Sequence, residues 1–208
     1  MLMLSSHRDP PPTCFHLARH GIHGEFGELL SGRAGSSPLT EQGRAQAQGI
    51  AGWHGLDGLH AIHASPRDRT VQTATIIGAV LGLEVRVAPD LDEVDFGSWS
   101  GQSFAELAGD PRWHDWNSRR SVSRTPGGET MAGAVRRAVA HMESCARGQA
   151  GATILCVTHC DIIRGLIAHY LGLSLDNLLR FEVDPGSIST IVLSQDGASV
   201  TRLNEVPA

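Results

Sequence analysis

Histidines and arginines stand together at three separated places in this chain: Arg19-His20-Gly21, the Arg67 to Arg69 stretch that follows Ser65-Pro66, and His159 after Val157-Thr158. A guanidinium is a rigid fork of donors that matches phosphate oxygens two at a time, and it keeps its charge at every working pH. Neutral imidazole is a competent nucleophile toward phosphorus, and a hydrogen bond from its other ring nitrogen to a backbone carbonyl would hold the tautomer needed. Two guanidiniums and two imidazoles around one cavity therefore suit a phosphoryl group and the charge that spreads over its oxygens during transfer. A leaving alkoxide also needs a proton, supplied most simply by a carboxyl group near the arginines. The stretch Leu91-Asp92-Glu93-Val94-Asp95-Phe96-Gly97 offers Glu93, flanked by Asp92 and Asp95.

These residues work together only if the fold converges them. Thr13 to Ala18 reads as a short strand, Leu59 to Ala64 as a second, and Ala152 to Thr158 as a continuous apolar run of the kind buried at the centre of a sheet. Thr40 caps a helix expected to run to about Trp53, and Ser65-Pro66 is read as the cap and first position of a helix from Pro66 to about Leu81. Further helices are expected over Ser103 to Ala108, Glu129 to Arg147 and Asp161 to Leu171, with one helical turn near Glu25 to Leu30. Further strands are expected at Glu84 to Ala88, Leu179 to Val183, Ile188 to Leu193 and Val200 to Leu203. Strands alternating with helices through residue 171 predict a three-layer α/β/α sandwich on a mostly parallel mixed sheet. In such sheets ligands bind at the carboxyl ends of strands, where all three polar clusters fall.

Composition narrows the chemistry. With 208 residues the chain suffices for one well-buried core, read as a single domain over residues 13–208 after a flexible lead-in over 1–12. No apolar run is long enough to cross a bilayer, so no membrane partner is expected and the cytoplasm is the expected location. A net charge of -5 argues against a nucleic-acid partner. All 17 basic residues are arginine, which excludes a P-loop lysine, a Schiff base and a pyridoxal-phosphate lysine. Cys14, Cys145, Cys156 and Cys160 show neither a disulfide framework nor zinc-ribbon spacing, which points to a reducing compartment. His60 and His63, three apart on one strand, point to opposite faces and are not expected to share a metal. A homodimer stays open.

From about residue 13 to 194 the chain resembles the histidine phosphatase superfamily, the phosphoglycerate mutase-like enzymes. The likeness is carried in order by Arg19-His20-Gly21, Pro38-Leu39-Thr40, Gly43, Gln46-Ala47, Ser65-Pro66, Arg69, Gln72-Thr73-Ala74, Glu93, Phe96-Gly97, Trp99, Gly101, Pro126 to Glu129 and Val157-Thr158-His159. The resemblance implies a phosphoglycerate mutase-like fold and a phosphohistidine on His20. It implies that Arg19, Arg69 and His159 bind the transferred group, and that Glu93 serves as acid and then as base. It singles out Arg69 over Arg67 and implies no cofactor and no metal. Gly32-Arg33 matches a pair often seen in the first loop, which makes Arg33 a contact for the distal part of the substrate. His23 is a second candidate substrate contact. Ile22, His23, Phe26, Ser100 and Cys160 depart from common family residues, so specificity is expected to differ there.

The function expected is metal-independent hydrolysis of small phosphomonoesters, with a small-molecule phosphate ester as partner. Two rivals are a cofactor-dependent phosphoglycerate mutase, whose family members are usually longer, and a non-catalytic phospho-ligand module, which would be marked by loss of His20 or Glu93. Cys160 is read as a small buried filler, with a reactive thiol as the alternative. Trp99, Trp113 and Trp116 either wall the pocket or pin the long loop over 90–128 to the core.

Overall fold

A computed structural model of the protein describes residues 10–207. Most of the expected lead-in, residues 1–9, lies outside them, and residues 10–12 are exposed coil. The first strand, β1 (Thr13–Arg19), is followed by α1 (Glu41–Ala51), β2 (Ala61–Ala64), α2 (Asp68–Leu81) and β3 (Val85–Val87). Two short helices, α3 (Phe104–Leu107) and α4 (Pro111–Ser118), precede α5 (Met131–Gly148), β4 (Thr153–Thr158), α6 (Cys160–Leu171), β5 (Ile188–Ser194) and β6 (Gly197–Glu205). The strands form one sheet in the order β3-β2-β4-β1-β5-β6. Pairing is parallel from β3 through β1 and antiparallel for β1 with β5 and for β5 with β6. The α/β expectation with antiparallel terminal strands is met.

Alternation along the strands feeds two cores. Ala18, Ile62, Ala64, Leu155 and Val157 pack with Ile50 of α1 and Ile77 of α2 on one face. Phe15, Leu17, Ile154 and Cys156 pack with α5 and α6 on the other, through Met131, Ala138, Ile163 and Leu166. Each layer thus removes a continuous apolar surface from water, the main favourable contribution to the fold. The chain crossing is tight where β1 ends: a Cβ on Gly21 would sit 2.3 Å from the Gly43 carbonyl oxygen, so only glycine lets α1 press against the residue after His20.

Four local expectations are corrected. Helix α2 starts at Asp68, with Arg67 as its cap and no side-chain cap bond, because the Ser65 hydroxyl is engaged with His159 and Asp92 instead. Leu175–Arg180 is a 3-10 helix whose Leu178 is buried against α6, not the start of a strand over Leu179 to Val183. The expected helical turn near Glu25 to Leu30 is a run of turns, held by Phe26 N–H to His23 and Leu29 N–H to Glu25 carbonyls. Helix α4, unforeseen in the sequence reading, begins where Asp110 accepts from the Arg112 amide and Pro111 occupies the first turn. Trp99 and Trp116 are fully buried and pin the 90–128 segment, whereas Trp113 faces a cavity.

Candidate active site

The carboxyl ends of β1, β2 and β4 open onto a cavity of about 370 Å³ lined by Arg19, His20, His23, Arg69 and Glu93 among others. His20 follows the last residue of β1, and its own amide donates to the Thr158 carbonyl at the end of β4, which fixes the ring over the junction of the two strands. Its Nδ1 lies 2.8 Å from the Gly21 carbonyl oxygen. A carbonyl only accepts, so the proton resides on Nδ1 and the lone pair on Nε2. That lone pair accepts from Arg69 Nε at 3.2 Å. Burial first, then the Arg69 and Arg19 charges, hold the His20 ring well below its ordinary pKa, which keeps it neutral.

Arg69, in the first turn of α2, spans both imidazoles: its second terminal nitrogen reaches His159 Nδ1 at 3.0 Å and the Gly32 carbonyl at 2.7 Å. His159 caps α6 and is wholly buried behind the cavity wall, its ring centroid 5.3 Å from that of His20. With Nδ1 accepting from Arg69, Nε2–H donates to Ser65 Oγ at 2.7 Å, and Ser65 donates on to Asp92 at 3.3 Å. Burial and then Arg69 hold this ring well below its ordinary pKa as well. Arg19 is anchored by a 2.6 Å bond to the Val183 carbonyl.

Glu93 lines the same cavity, with Oε1 accepting from the Val94 amide at 2.9 Å and Oε2 3.8 Å from His159 Nδ1. Burial, with Asp161 nearby, pushes its carboxyl up to about 7 against the pull of Arg69. The flanking carboxylates are otherwise committed. Asp92 pairs with Arg67 at 2.9 Å and accepts from the Glu93 amide at 2.8 Å, while Asp95 accepts from the Gly97 amide at 2.9 Å.

The structure gathers His20, Arg19, Arg69, His159, Glu93 and His23 at one place. His23 is buried with its ring centroid 5.3 Å from His20, and burial pushes its pKa down to about 4. Arg33 is directed elsewhere. Its guanidinium donates to the Glu93 carbonyl at 2.8 Å and to Glu129 at 2.9 Å, so it braces the acid-bearing segment and is not among the residues lining the cavity. Arg67 points the same way, donating to the Arg33 carbonyl at 2.8 Å. Cys160 is half-buried and lines the cavity; burial pushes its thiol up to about 11, and its sulfur lies 3.7 Å from the Val183 carbonyl.

Sequence reasoning missed the Ser65–Asp92 support of His159 and, apart from Trp113, the outer wall. Phe26, Phe104 and Trp113 form its apolar part, and Arg120, Asp161 and Arg164 its charged part. Arg120 and Asp161 pair at 2.6 Å. Asp161, two residues after His159, was legible as an acid at a helix start. Nothing local in the sequence marked Arg120, which enters from the end of the long segment.

An α/β sheet whose strand ends carry two neutral imidazoles, two arginines and a protonatable carboxyl defines a cationic pocket of the class that handles tetrahedral anions. A family model of the histidine phosphatase superfamily (branch 1) matches residues 15–206, and the chain belongs to that superfamily. A Mycobacterium tuberculosis protein described as bifunctional is 37% identical over 197 residues, 92% of this chain and 53% of the relative. The chain therefore spans about half the length of the mycobacterial relatives it matches. The adenosylcobalamin/alpha-ribazole phosphatase of Escherichia coli is 29% identical over 196 residues, 90% of this chain and 94% of the relative. Among solved structures, Bacillus stearothermophilus YhfR superposes with a TM-score of 0.86 at 26% identity, covering 93% of this chain and 98% of that one.

Proposed function

We propose that this chain hydrolyses small phosphomonoesters through a phosphohistidine on His20, with residues 13–208 acting as one catalytic unit. The observation that carries the reading is the His20 tautomer: Nδ1–H is tied to the Gly21 carbonyl, which leaves the Nε2 lone pair beside Arg69 in the cavity. His20 Nε2 attacks phosphorus, the ester P–O bond breaks, and the leaving oxygen takes its proton from the Glu93 carboxyl. Water then attacks the phosphohistidine, Glu93 recovers a proton from it, and the N–P bond breaks to release phosphate. Arg19 and Arg69 hold the phosphoryl oxygens throughout. A bound dianion offsets the Arg69 and Arg19 charges that add to burial in holding His159 neutral, which favours a proton on its Nδ1 and a further donor to the phosphoryl group.

The name of the Escherichia coli relative, an adenosylcobalamin/alpha-ribazole phosphatase, supports hydrolysis as the reaction. The wall of Phe26, Phe104 and Trp113 would hold the leaving group, with His23 at its inner end. No helix among the described residues is long and apolar enough to cross a membrane. That result, with four free cysteines, supports the cytoplasm as the location.

A screen of phosphorylated metabolites, run with chelator present, tests the reading. Release of inorganic phosphate that disappears in His20→Ala is expected. Conversion of a phosphoglycerate to its isomer without phosphate release would instead make the chain a mutase. Tight binding of phosphate compounds with no turnover would make it a binding module.

A further inference from the structure

On the sheet face covered by α5, away from the phosphate cavity, four soft donor side chains converge. His63 of β2 and Cys156 of β4 are register partners, both buried, and His141 and Cys145 stand one turn apart on α5. His63 Nδ1 and His141 Nε2 are 2.9 Å apart, and Cys145 Sγ is 3.8 Å from each of them. The Cys156 sulfur and the two imidazole nitrogens all lie within 4.8 Å of one another. None of the four lines the cavity around His20. His60, whose Nδ1 accepts from the Thr153 amide at 3.0 Å, is excluded, so the strand histidines do not share a site; the second imidazole comes from the helix.

We infer that His63, His141, Cys145 and Cys156 form a structural site for one thiophilic d10 divalent cation, zinc in the first instance. Tetrahedral zinc with nitrogen at ~2.0 Å and sulfur at ~2.3 Å places its ligands ~3.3 Å (N to N) and ~3.6 Å (N to S) apart. The two imidazole nitrogens and Cys145 already lie within ~0.4 Å of that geometry. Cys156, whose sulfur lies within 4.8 Å of the imidazole nitrogens, completes the set when its side chain turns toward them. As a bare cluster the groups are poorly served: one hydrogen bond joins the rings, and the Cys145 thiol makes only long sulfur–nitrogen contacts. Binding exchanges these for four coordinate bonds and expels one proton from each thiol, so two thiolates balance the ion and the loaded site is neutral.

Neutrality suits a place where two of the four ligands are buried. A second cavity of about 300 Å³, lined by His60, His63, Glu84 and Arg86, opens beside His63 at the edge of the sheet. Loaded, the site ties β2 and β4 to the carboxyl-terminal half of α5.

The full chain, reduced and stripped with chelator, is titrated with Co2+ and then with Zn2+. One equivalent of cobalt is expected to give tetrahedral d–d bands and a thiolate-to-cobalt charge-transfer band, both removed by one equivalent of zinc. His141→Gln and Cys145→Ser change half-exposed helix positions, so folding is kept, and each is expected to weaken binding by at least about tenfold. Zinc should raise the melting temperature of the wild type and not that of the double variant. Hydrolysis of p-nitrophenyl phosphate should be the same in all. Absence of the charge-transfer band in the wild type would overturn the inference. So would its survival in the double variant, because the ion would then sit elsewhere.

Discussion

Glu93 holds its proton up to about pH 7 because its carboxyl is buried beside Asp161, against the pull of Arg69, the Val94 amide and Arg19. An acid held at about 7 is protonated below that pH and ionised above it. For esters with poor leaving groups, kcat/KM should therefore fall as pH rises through about 7, while good leaving groups such as p-nitrophenol should show little of this limb. Glu93→Gln should slow poor leaving groups by ~10²- to 10⁴-fold and remove the limb, as a pH–rate profile would reveal. A limb that persisted in the glutamine variant would assign that titration to another group. Glu93 was legible in the sequence as one carboxyl among three. The motif resemblance singled it out, and the structure adds the fate of its neighbours: Asp92 and Asp95 are taken by Arg67 and by the Gly97 amide, which are tertiary facts. The Ser65 hydroxyl misled for the same reason: a good local cap residue is drawn away by a histidine that is 94 positions distant.

The acid-bearing segment has almost no regular structure of its own, so its path depends on a clamp at the scale of elements. Arg33 from the first loop and Arg137 from α5 both donate to the Glu93 carbonyl, at 2.8 and 3.0 Å, and both pair with Glu129. Arg33→Ala should lower kcat for poor leaving groups by roughly 10- to 100-fold through misplacement of the carboxyl, with little change in KM, because Arg33 does not line the cavity. A rise in KM alone would return Arg33 to the substrate contact expected from the sequence. The meeting of α1 with the residue after His20 makes a second demand. A Cβ on Gly43 would lie 2.0 Å from the Ile22 carbonyl oxygen, so Gly43→Ala should cost ~1–3 kcal/mol in denaturant unfolding and displace Gly21, which positions His20. Wild-type stability and turnover in that variant would show that the crossing tolerates a methyl group. The longer helices and the central strands were readable from their periodicity, whereas the short α4 was not. The 3-10 helix at Leu175–Arg180 was not, because Leu178 and Leu179 read as strand residues, and it is packing against α6 that decides between the two.

For the whole molecule, the most general consequence is its response to acid. His16, His20, His23, His63 and His159 are all buried with their pKa values held down, chiefly by burial itself. Unfolding frees each ring to take up a proton near 6.5, so their contribution is fully present above that pH and is lost as pH falls toward about 4. Each ring adds a slope of up to about 1.4 kcal/mol per pH unit in that window. Glu93 works with the opposite sign, favouring the folded state below its unfolded value and losing that contribution as pH rises through about 7, but it is one group against five. Unfolding free energy measured from pH 7 to 5 should fall steeply; a flat profile would mean that the rings are charged or exposed in the folded protein. The layered α/β architecture was legible in the alternation of strands and helices, and the site in the order of its motifs. Of the outer wall of the cavity only Trp113 was foreseen, as one of two readings, because Phe26, Phe104 and Arg120 join it only after the chain has folded. The central claim, that His20 captures phosphorus, is tested most directly by mixing Glu93→Gln with p-nitrophenyl phosphate, quenching within one turnover and mapping the covalent phosphate by mass spectrometry. An acid-labile phosphoryl group on the peptide that contains His20 is the expected result. Phosphate found on any other side chain, or a complete burst of p-nitrophenol with no phosphoryl-enzyme, would contradict it.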